Sequence, residues 1–363
     1  MFRDSPEWGS SAIIVPWYIY EWYGDTTELV KNYDMMVRYR DYLKGKAKAH
    51  ILYQGLGDWY DLGPKPPGTS QLTPKGLTAT AIYYYDLQIM AKTAALLGRK
   101  QDAQDYLSES NEVKKAFNEK FLHVAAQANG AIEAYYGTGS QTADAMALYM
   151  GLVPDSLHDN VVHHFVAGIK QGGYRLTAGD IGYRYVLRVL EQEGYNDVIF
   201  KMNNRSDVPG YGYQLAKGAT ALTESWQALA SVSNNHFMLG HLMEWFYSGI
   251  LGIRLNLAAA LEVKGSTPLV IAPQMVGDLS WAKGSYHSVY GKIEVEWYKK
   301  SGRIVVDVSV PVGLEAEVRL PYVQGAELLG QSSLKAKVQA IGHAKCFVFQ
   351  VGSGTHKYII NLK

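Results

Sequence analysis

Apolar positions recur at helical spacing through the first two-thirds of this chain and alternate at period two through the last third. Residues 10–23 and 27–43 read as a helical hairpin turned at Gly24-Asp25, with Tyr33, Met36, Val37 and Tyr39 at near-helical spacing. Residues 77–97 and 101–122 read as a second pair, with Gly98 where a C-cap glycine belongs and Asp102 in the partner's first turn. Shorter helices are expected in GTGSQTADAMALYMGLVP and over residues 157–169, 180–192 and 195–202. GATALTESWQALA and HFMLGHLMEWFYSGI complete the series, the latter with Leu239, Leu242, Met243 and Phe246 on one apolar face. No strand is expected before Ile253.

The period then changes. LVIAP, YHSVYGKIEVEWYKK, GRIVVDVSVPV, EAEVRLP and CFVFQVGSGTHKYIINL are alternating or β-branched runs separated by Gly, Pro and Lys-Lys turns. This predicts two cores: a helical domain over residues 1–253 and a small antiparallel β-sandwich over residues 254–363. Repeated helical hairpins without strands suggest an α/α toroid, in which hairpin loops gather at one end and build a site. No short exact repeat marks a solenoid. With 363 residues, 47% of them hydrophobic, the chain can fill both cores.

Composition removes several function classes. A net charge of +1 without a basic run gives no electrostatic footprint for nucleic acid. No apolar run approaches the ~18 residues of a membrane span, and MFRDSPEWGS lacks the form of a signal peptide. The single cysteine, Cys346, lies in the strand-like run CFVFQV and reads as a buried thiol rather than a nucleophile. Compartment stays unassigned.

Two stretches gather the residue types that a sugar site needs. Residues 205–249 hold Tyr211, Tyr213, Trp226, His236, Trp245 and Tyr247, with Glu224 and Glu244 as the carboxylates after the turn. A pyranose presents apolar ring faces and hydroxyl edges, so a carboxylate among stacking aromatics suits it; an amphipathic helix pair closing a core is the competing reading. The Pro- and Gly-rich loop over residues 55–76 carries Asp58, Trp59 and Asp61, and the alternative there is a surface loop capped by its Asp side chains. On a helix, Glu224 shares a face with Thr220, Ala221 and Ala228 at the border of a core. A glycosidase needs two carboxyl groups, and spacing alone leaves Asp58, Asp61, Glu133, Asp144, Asp180, Asp207, Glu224 and Glu244 open. His163 and His164, adjacent on a polar helix, read as solvated side chains.

RDSPEWGSSAIIVPWYIYEWYGD, GLGDWYD, GSQTADAMAL, PGYGYQLAKGATALTESW and SNNHFMLGHLMEWFYSGILGI resemble, in order and spacing, the bacterial α-L-rhamnosidases of glycoside hydrolase family 78. The resemblance runs from Phe2 to about residue 300. It implies an (α/α)6 toroid followed by a small antiparallel β-sandwich, and hydrolysis of terminal α-L-rhamnosides with inversion. Carried onto these residues, it makes Glu224 the general base, Asp58 a partner for sugar hydroxyls and Trp59 a stacking platform. Trp226, His236 and Trp8 become further pocket walls. It implies no cofactor, and no ligand run suggests a metal. Neither nucleic acid nor membrane is an expected partner; the partner is carbohydrate. The family's general acid lies upstream of the element that DSPEWG resembles, so the toroid is expected to be incomplete at its N-terminus. Weak activity alone and self-association through the surface left uncovered are then expected. A non-catalytic carbohydrate-binding remnant is the alternative. A uronate-directed toroid enzyme fits less well, because an acidic sugar should bring a cluster of arginines or lysines and the motif stretches are poor in both apart from Arg205 and Lys217.

Overall fold

The computed structural model describes residues 4–258, 267–330, 336–342 and 344–362. A short turn, α1 (Pro6–Gly9), opens with proline at the helix start, where the missing N–H has no partner to lose. Four longer helices follow: α2 (Ser11–Tyr23), α3 (Thr27–Lys46), α4 (Lys75–Leu96) and α5 (Lys100–Phe121). They differ in how much of their surface is apolar. Helix α3 buries only the stripe Leu29, Tyr33, Met36 and Leu43, and α5 only a stripe from Tyr106 to Phe121. Helix α4 is buried on nearly every side, from Leu77 through Ala94. That alternation of enclosed and half-exposed helices is what an α/α toroid requires of its inner and outer rings.

Gly98, with φ +74°, turns the α4–α5 hairpin, as its spacing predicts. The pattern repeats in α6 (Gln141–Tyr149), buried from Thr142 to Leu148 and capped by Ser140, and in α7 (His158–Gln171), which buries one stripe from Val161 to Ile169. Helices α8 (Gly182–Gln192), α9 (Asn196–Asn203), α10 (Tyr211–Ala216) and α11 (Leu242–Trp245) complete the series.

Three expectations need correction. A hairpin, β1 (Leu122–Ala126) with β2 (Ile132–Tyr136), lies within the helical region. Its Ala-rich sequence has only Val124 and Ile132 as β-branched residues, and the turn at Gly130 supplies the reversal instead. Residues 218–235 form no helix. There Thr223 Oγ1 donates to Ser225 O, Glu224 N–H to Ser233 O and His236 N–H to Leu222 O, so hydroxyl and cross-loop bonds replace the helical ladder. The expected last helix is reduced to α11 and a π turn at Phe246–Ile250.

The chain packs as two compact units: Met1–Tyr18, Thr26–Val189 and Lys201–His241 form one, and Ile19–Asp25, Leu190–Phe200 and Leu242–Lys363 the other. Among the described residues the second contains ten strands: β3 (Ile253–Leu255), β4 (Leu269–Ile271), β5 (Trp281–Ser288), β6 (Gly291–Lys300), β7 (Arg303–Val310), β8 (Ala316–Pro321), β9 (Glu327–Leu329), β10 (Lys337–Ile341), β11 (Ala344–Val351) and β12 (Gly354–Asn361). They make two five-stranded sheets, ordered β10-β11-β8-β4-β3 and β5-β6-β7-β12-β9. All pairings are antiparallel except β4 with β8. Alternation sets the buried faces: Ile293, Val295 and Trp297 on β6 and Ala316, Val318 and Leu320 on β8 are all fully buried. Phe349 of β11 meets Tyr358 of β12 at 4.9 Å, which joins the two sheets in one core. Cys346 lies on β11 as a half-buried rather than fully buried thiol, and burial pushes it up from its ordinary range.

Candidate active site

The loop between α3 and α4 holds itself in place through a carboxylate. Asp61 accepts the backbone N–H groups of Gln71 at 3.0 Å and Leu72 at 2.7 Å, and Tyr60 N–H donates to Gly68 O at 2.8 Å. Asp61 therefore caps the loop.

Asp58 turns into the protein. It is fully buried; its Oδ2 accepts from the Thr142 hydroxyl and from Gly179 N–H at 2.9 Å, and its Oδ1 from Gly182 N–H at 2.8 Å. Because Gly182 opens α8, the carboxylate sits at that helix's N-terminus, where negative charge is favoured. The approach is too close for side chains: a Cβ on Gly179 would lie 2.1 Å from Trp59 O, and one on Gly182 2.0 Å from Thr142 Oγ1. Burial pushes Asp58 up to about 6 against the opposing pull of its hydrogen bonds. Its oxygens face protein donors rather than a cleft, unlike the sugar contact that the resemblance implies.

Trp59, the next residue, is half-buried, and its indole Nε1–H donates to Glu224 Oε1 at 3.1 Å. The bond joins the two stretches that the sequence singled out. Glu224 sits on a loop rather than a helix: its own N–H bonds Ser233 O at 2.9 Å, and His236 N–H bonds Leu222 O at 2.8 Å. Its second oxygen, Oε2, has only a long 3.4 Å approach from Ser233 N–H. One oxygen is thus oriented and the other is nearly free.

Trp226 fastens this loop. It is fully buried, donates Nε1–H to Ala178 O at 2.9 Å and meets Tyr183 and Tyr211 edge-on at 5.0 and 5.1 Å. It is an anchor in the core rather than the pocket wall that the resemblance implies. His236 is half-buried on the same loop, with Nδ1 enclosed and lacking a partner. Among the described residues, no hydrogen bond or ring contact joins Trp8 to Trp59 or Glu224. Its helix α1 reaches the 55–61 loop through Ser5, which accepts Leu56 N–H at 3.0 Å. Neighbouring Glu7 accepts from the Ser5 and Thr78 hydroxyls.

Ranking carboxylates by motif missed Asp180. It is 1% exposed, its N–H donates to Trp59 O at 2.8 Å, and neither carboxyl oxygen has a partner. Burial first, then the charges of Asp58 and Glu224, push it up to about 8, and Tyr60 is raised by burial and by Glu224 and Asp180. The signal in the sequence was its place between Gly179 and Gly182, which needed the fold to interpret. A cavity of about 270 Å³ lies between flanking parts of the same loops, lined by Leu62, Arg175, Thr177, Pro209 and Gln227 among others. Elsewhere, His164 corrects the reading of a solvated pair: its Nδ1 bonds Asp144 Oδ2 at 2.7 Å. Among the described residues no group of three or more His, Cys, Asp or Glu could hold a metal, and no helix is long and apolar enough to cross a membrane.

The comparisons agree with this architecture. Residues 1–250 match the model of the bacterial alpha-L-rhamnosidase 6 hairpin glycosidase domain, and residues 265–335 that of the bacterial alpha-L-rhamnosidase C-terminal domain. An alpha-L-rhamnosidase of Streptomyces avermitilis is 29% identical over 363 residues, covering 97% of this chain and 33% of the relative. The α-L-rhamnosidase structure from Dictyoglumus thermophilum superposes with a TM-score of 0.85 at 29% identity, over 99% of this chain and 40% of that one. The Streptomyces avermitilis enzyme, solved in complex with L-rhamnose, gives 0.80 at 27% identity over 97% and 33% of the two chains. The chain spans about a third of the length of the curated relatives it matches. Enclosed and half-exposed helices in alternation, a β-sandwich after them and a match over most of the helical region make one statement: the chain belongs to the bacterial α-L-rhamnosidase six-hairpin glycosidase family.

Proposed function

We propose that this chain carries the general base of an inverting α-L-rhamnosidase site, with Glu224 in that role. The observation that carries this reading is the 3.1 Å hydrogen bond from Trp59 to Glu224, which couples an aromatic platform to a carboxylate across 165 residues of sequence. In inversion the base takes a proton from water as that water attacks the anomeric carbon opposite the leaving group. The indole N–H fixes Oε1, so Oε2 is left to receive the water's proton. The same half-buried indole offers an apolar face to a pyranose ring. Terminal α-L-rhamnosides are the substrate class, in keeping with the relatives' names and the L-rhamnose complex.

The leaving oxygen needs a proton from a second carboxyl about 6.5–9.5 Å from the base. Glu7 is bonded to Ser5 and Thr78, and Asp180 is enclosed, so neither is assigned that role. An aryl leaving group weakens the demand for an acid. The test is therefore hydrolysis of p-nitrophenyl α-L-rhamnoside followed by proton NMR of the first-formed anomer. β-L-Rhamnose should appear first, and Glu224→Gln should lower turnover by about 10²–10⁴-fold. Retained configuration, or equal turnover in the variant, would overturn the assignment. So would rhamnose binding without turnover that Glu224→Ala leaves unchanged, which would mark a carbohydrate-binding chain.

A further inference from the structure

The residue that the mechanism leaves unused is Asp180, and its setting is unlike that of the other buried carboxylates near it. Asp58 has three donors and Asp61 has backbone N–H groups, whereas both oxygens of Asp180 are enclosed without a hydrogen-bond partner. A buried carboxylate without donors is far costlier than a buried neutral acid, so this geometry favours the protonated form. Its backbone is fastened to the site, because its N–H bonds the carbonyl of Trp59, the residue whose indole holds Glu224. The charged groups acting on it are Asp58 from the 55–61 loop and Glu224 from the 222–236 loop, and Tyr60 feels Asp180 and Glu224 together.

We propose that Asp180 is a positioning residue for Glu224, a buried neutral acid whose ionisation would set a second negative charge beside the base. This rests on the reading of Glu224 as the general base. While Asp180 keeps its proton, Glu224 is the one carboxylate that the Trp59 indole must orient. When Asp180 ionises, repulsion between its enclosed carboxylate and that of Glu224 acts across the Trp59 link and displaces Glu224. Enclosure also settles what Asp180 does not do: with 1% of its surface exposed, it cannot reach a glycosidic oxygen and is not the general acid. Its influence is transmitted through charge and through the Trp59 backbone.

The test is carboxyl carbon-13 NMR of the whole chain, labelled at Asp and Glu and titrated from about pH 4 to about pH 10. One Asp resonance should titrate near the value of about 8 to which burial and its neighbours raise Asp180. The Glu224 resonance, identified by its loss in Glu224→Gln, should show an inflection at the same pH. In Asp180→Asn both features should vanish. In Glu224→Gln the Asp180 step should move down by about one pH unit, because coupling between two sites is reciprocal. That second variant leaves Asp180 intact, so it decides the matter even if Asp180→Asn fails to fold. A step that survives Asp180→Asn would overturn the proposal, as would one that is unmoved in Glu224→Gln. Neither readout uses turnover, so a failed rhamnosidase assignment and a failed coupling are separate results.

Discussion

Asp58 is where the structure and the family resemblance part most clearly, and replacing it separates a structural carboxylate from a sugar-binding one. Truncation in Asp58→Ala leaves three buried donors without an acceptor: Thr142 Oγ1, Gly179 N–H and Gly182 N–H. An unsatisfied buried donor costs about 1–3 kcal/mol, and the three are coupled, so a loss of about 3–6 kcal/mol is expected. Set against a typical total of about 5–15 kcal/mol, that is enough to unfold a substantial fraction of the protein on warming. Asp58→Asn should be milder, about 1–3 kcal/mol, because its amide oxygen can still accept while its NH₂ confronts one donor.

The pH dependence supplies a second, independent sign. Asp58 is raised from 3.8 to about 6 in the fold, so the folded state binds the proton more tightly than the unfolded chain does. Its contribution is therefore greatest below pH ~4 and falls as pH rises through about 6, a difference of roughly 3 kcal/mol. Asp58→Asn should flatten that part of the profile. Urea midpoints measured across about pH 4 to 7, together with rhamnose titration by calorimetry at pH 7, check both points. A variant that keeps its midpoint within about 0.5 kcal/mol but loses rhamnose affinity would refute the structural reading and restore Asp58 as a sugar contact.

Two further substitutions probe the site and its surroundings. Trp59→Phe keeps an aromatic face but removes the N–H that holds Glu224 Oε1; a hydrogen bond to a charged group of about 1.5–3 kcal/mol implies a fall of about 10–100-fold in kcat/KM for aryl rhamnoside, and unchanged kinetics would show that the indole does not orient the base. His164 is raised by its hydrogen bond to Asp144, so its stabilisation is complete below pH ~6.5 and lost as pH rises through the raised value. Burial pushes Asp144 up as well, so His164→Gln should lower the urea midpoint at pH ~6, and the difference from the wild type should shrink as pH rises through the raised value.

The long helices were legible because their apolar spacing is a local property: α4 and α5 each lie within two residues of the expected bounds, and Gly98 ends the first of them. The same logic failed over residues 218–235. Leu222, Trp226 and Leu229 imitate a helical face, but Thr223, Ser225 and Ser233 bond the backbone in ways that a helix excludes. Periodicity counts apolar positions and is blind to that competition.

What the sequence could not rank was its carboxylates, and the reason is that their chemistry is assigned by the backbone around them. Asp58, Asp61 and Asp180 are the same side chain within one compact unit. Asp61 is satisfied by N–H groups ten and eleven residues along the chain, Asp58 by a turn 121–124 residues away, and Asp180 by nothing. The turn that decides between them is short, and it exists because Gly179 and Gly182 let backbone approach where a methyl group would collide with Trp59 O or Thr142. Those two glycines bring α8, the 55–61 loop and α6 together, and Trp226 ties the Glu224 loop to the same turn through Ala178 O. Residues read as chemistry, Asp58 and Trp226, are thus the fastening. Asp180, which no motif marked, is held by that fastening through the carbonyl of Trp59, the residue whose indole bonds Glu224.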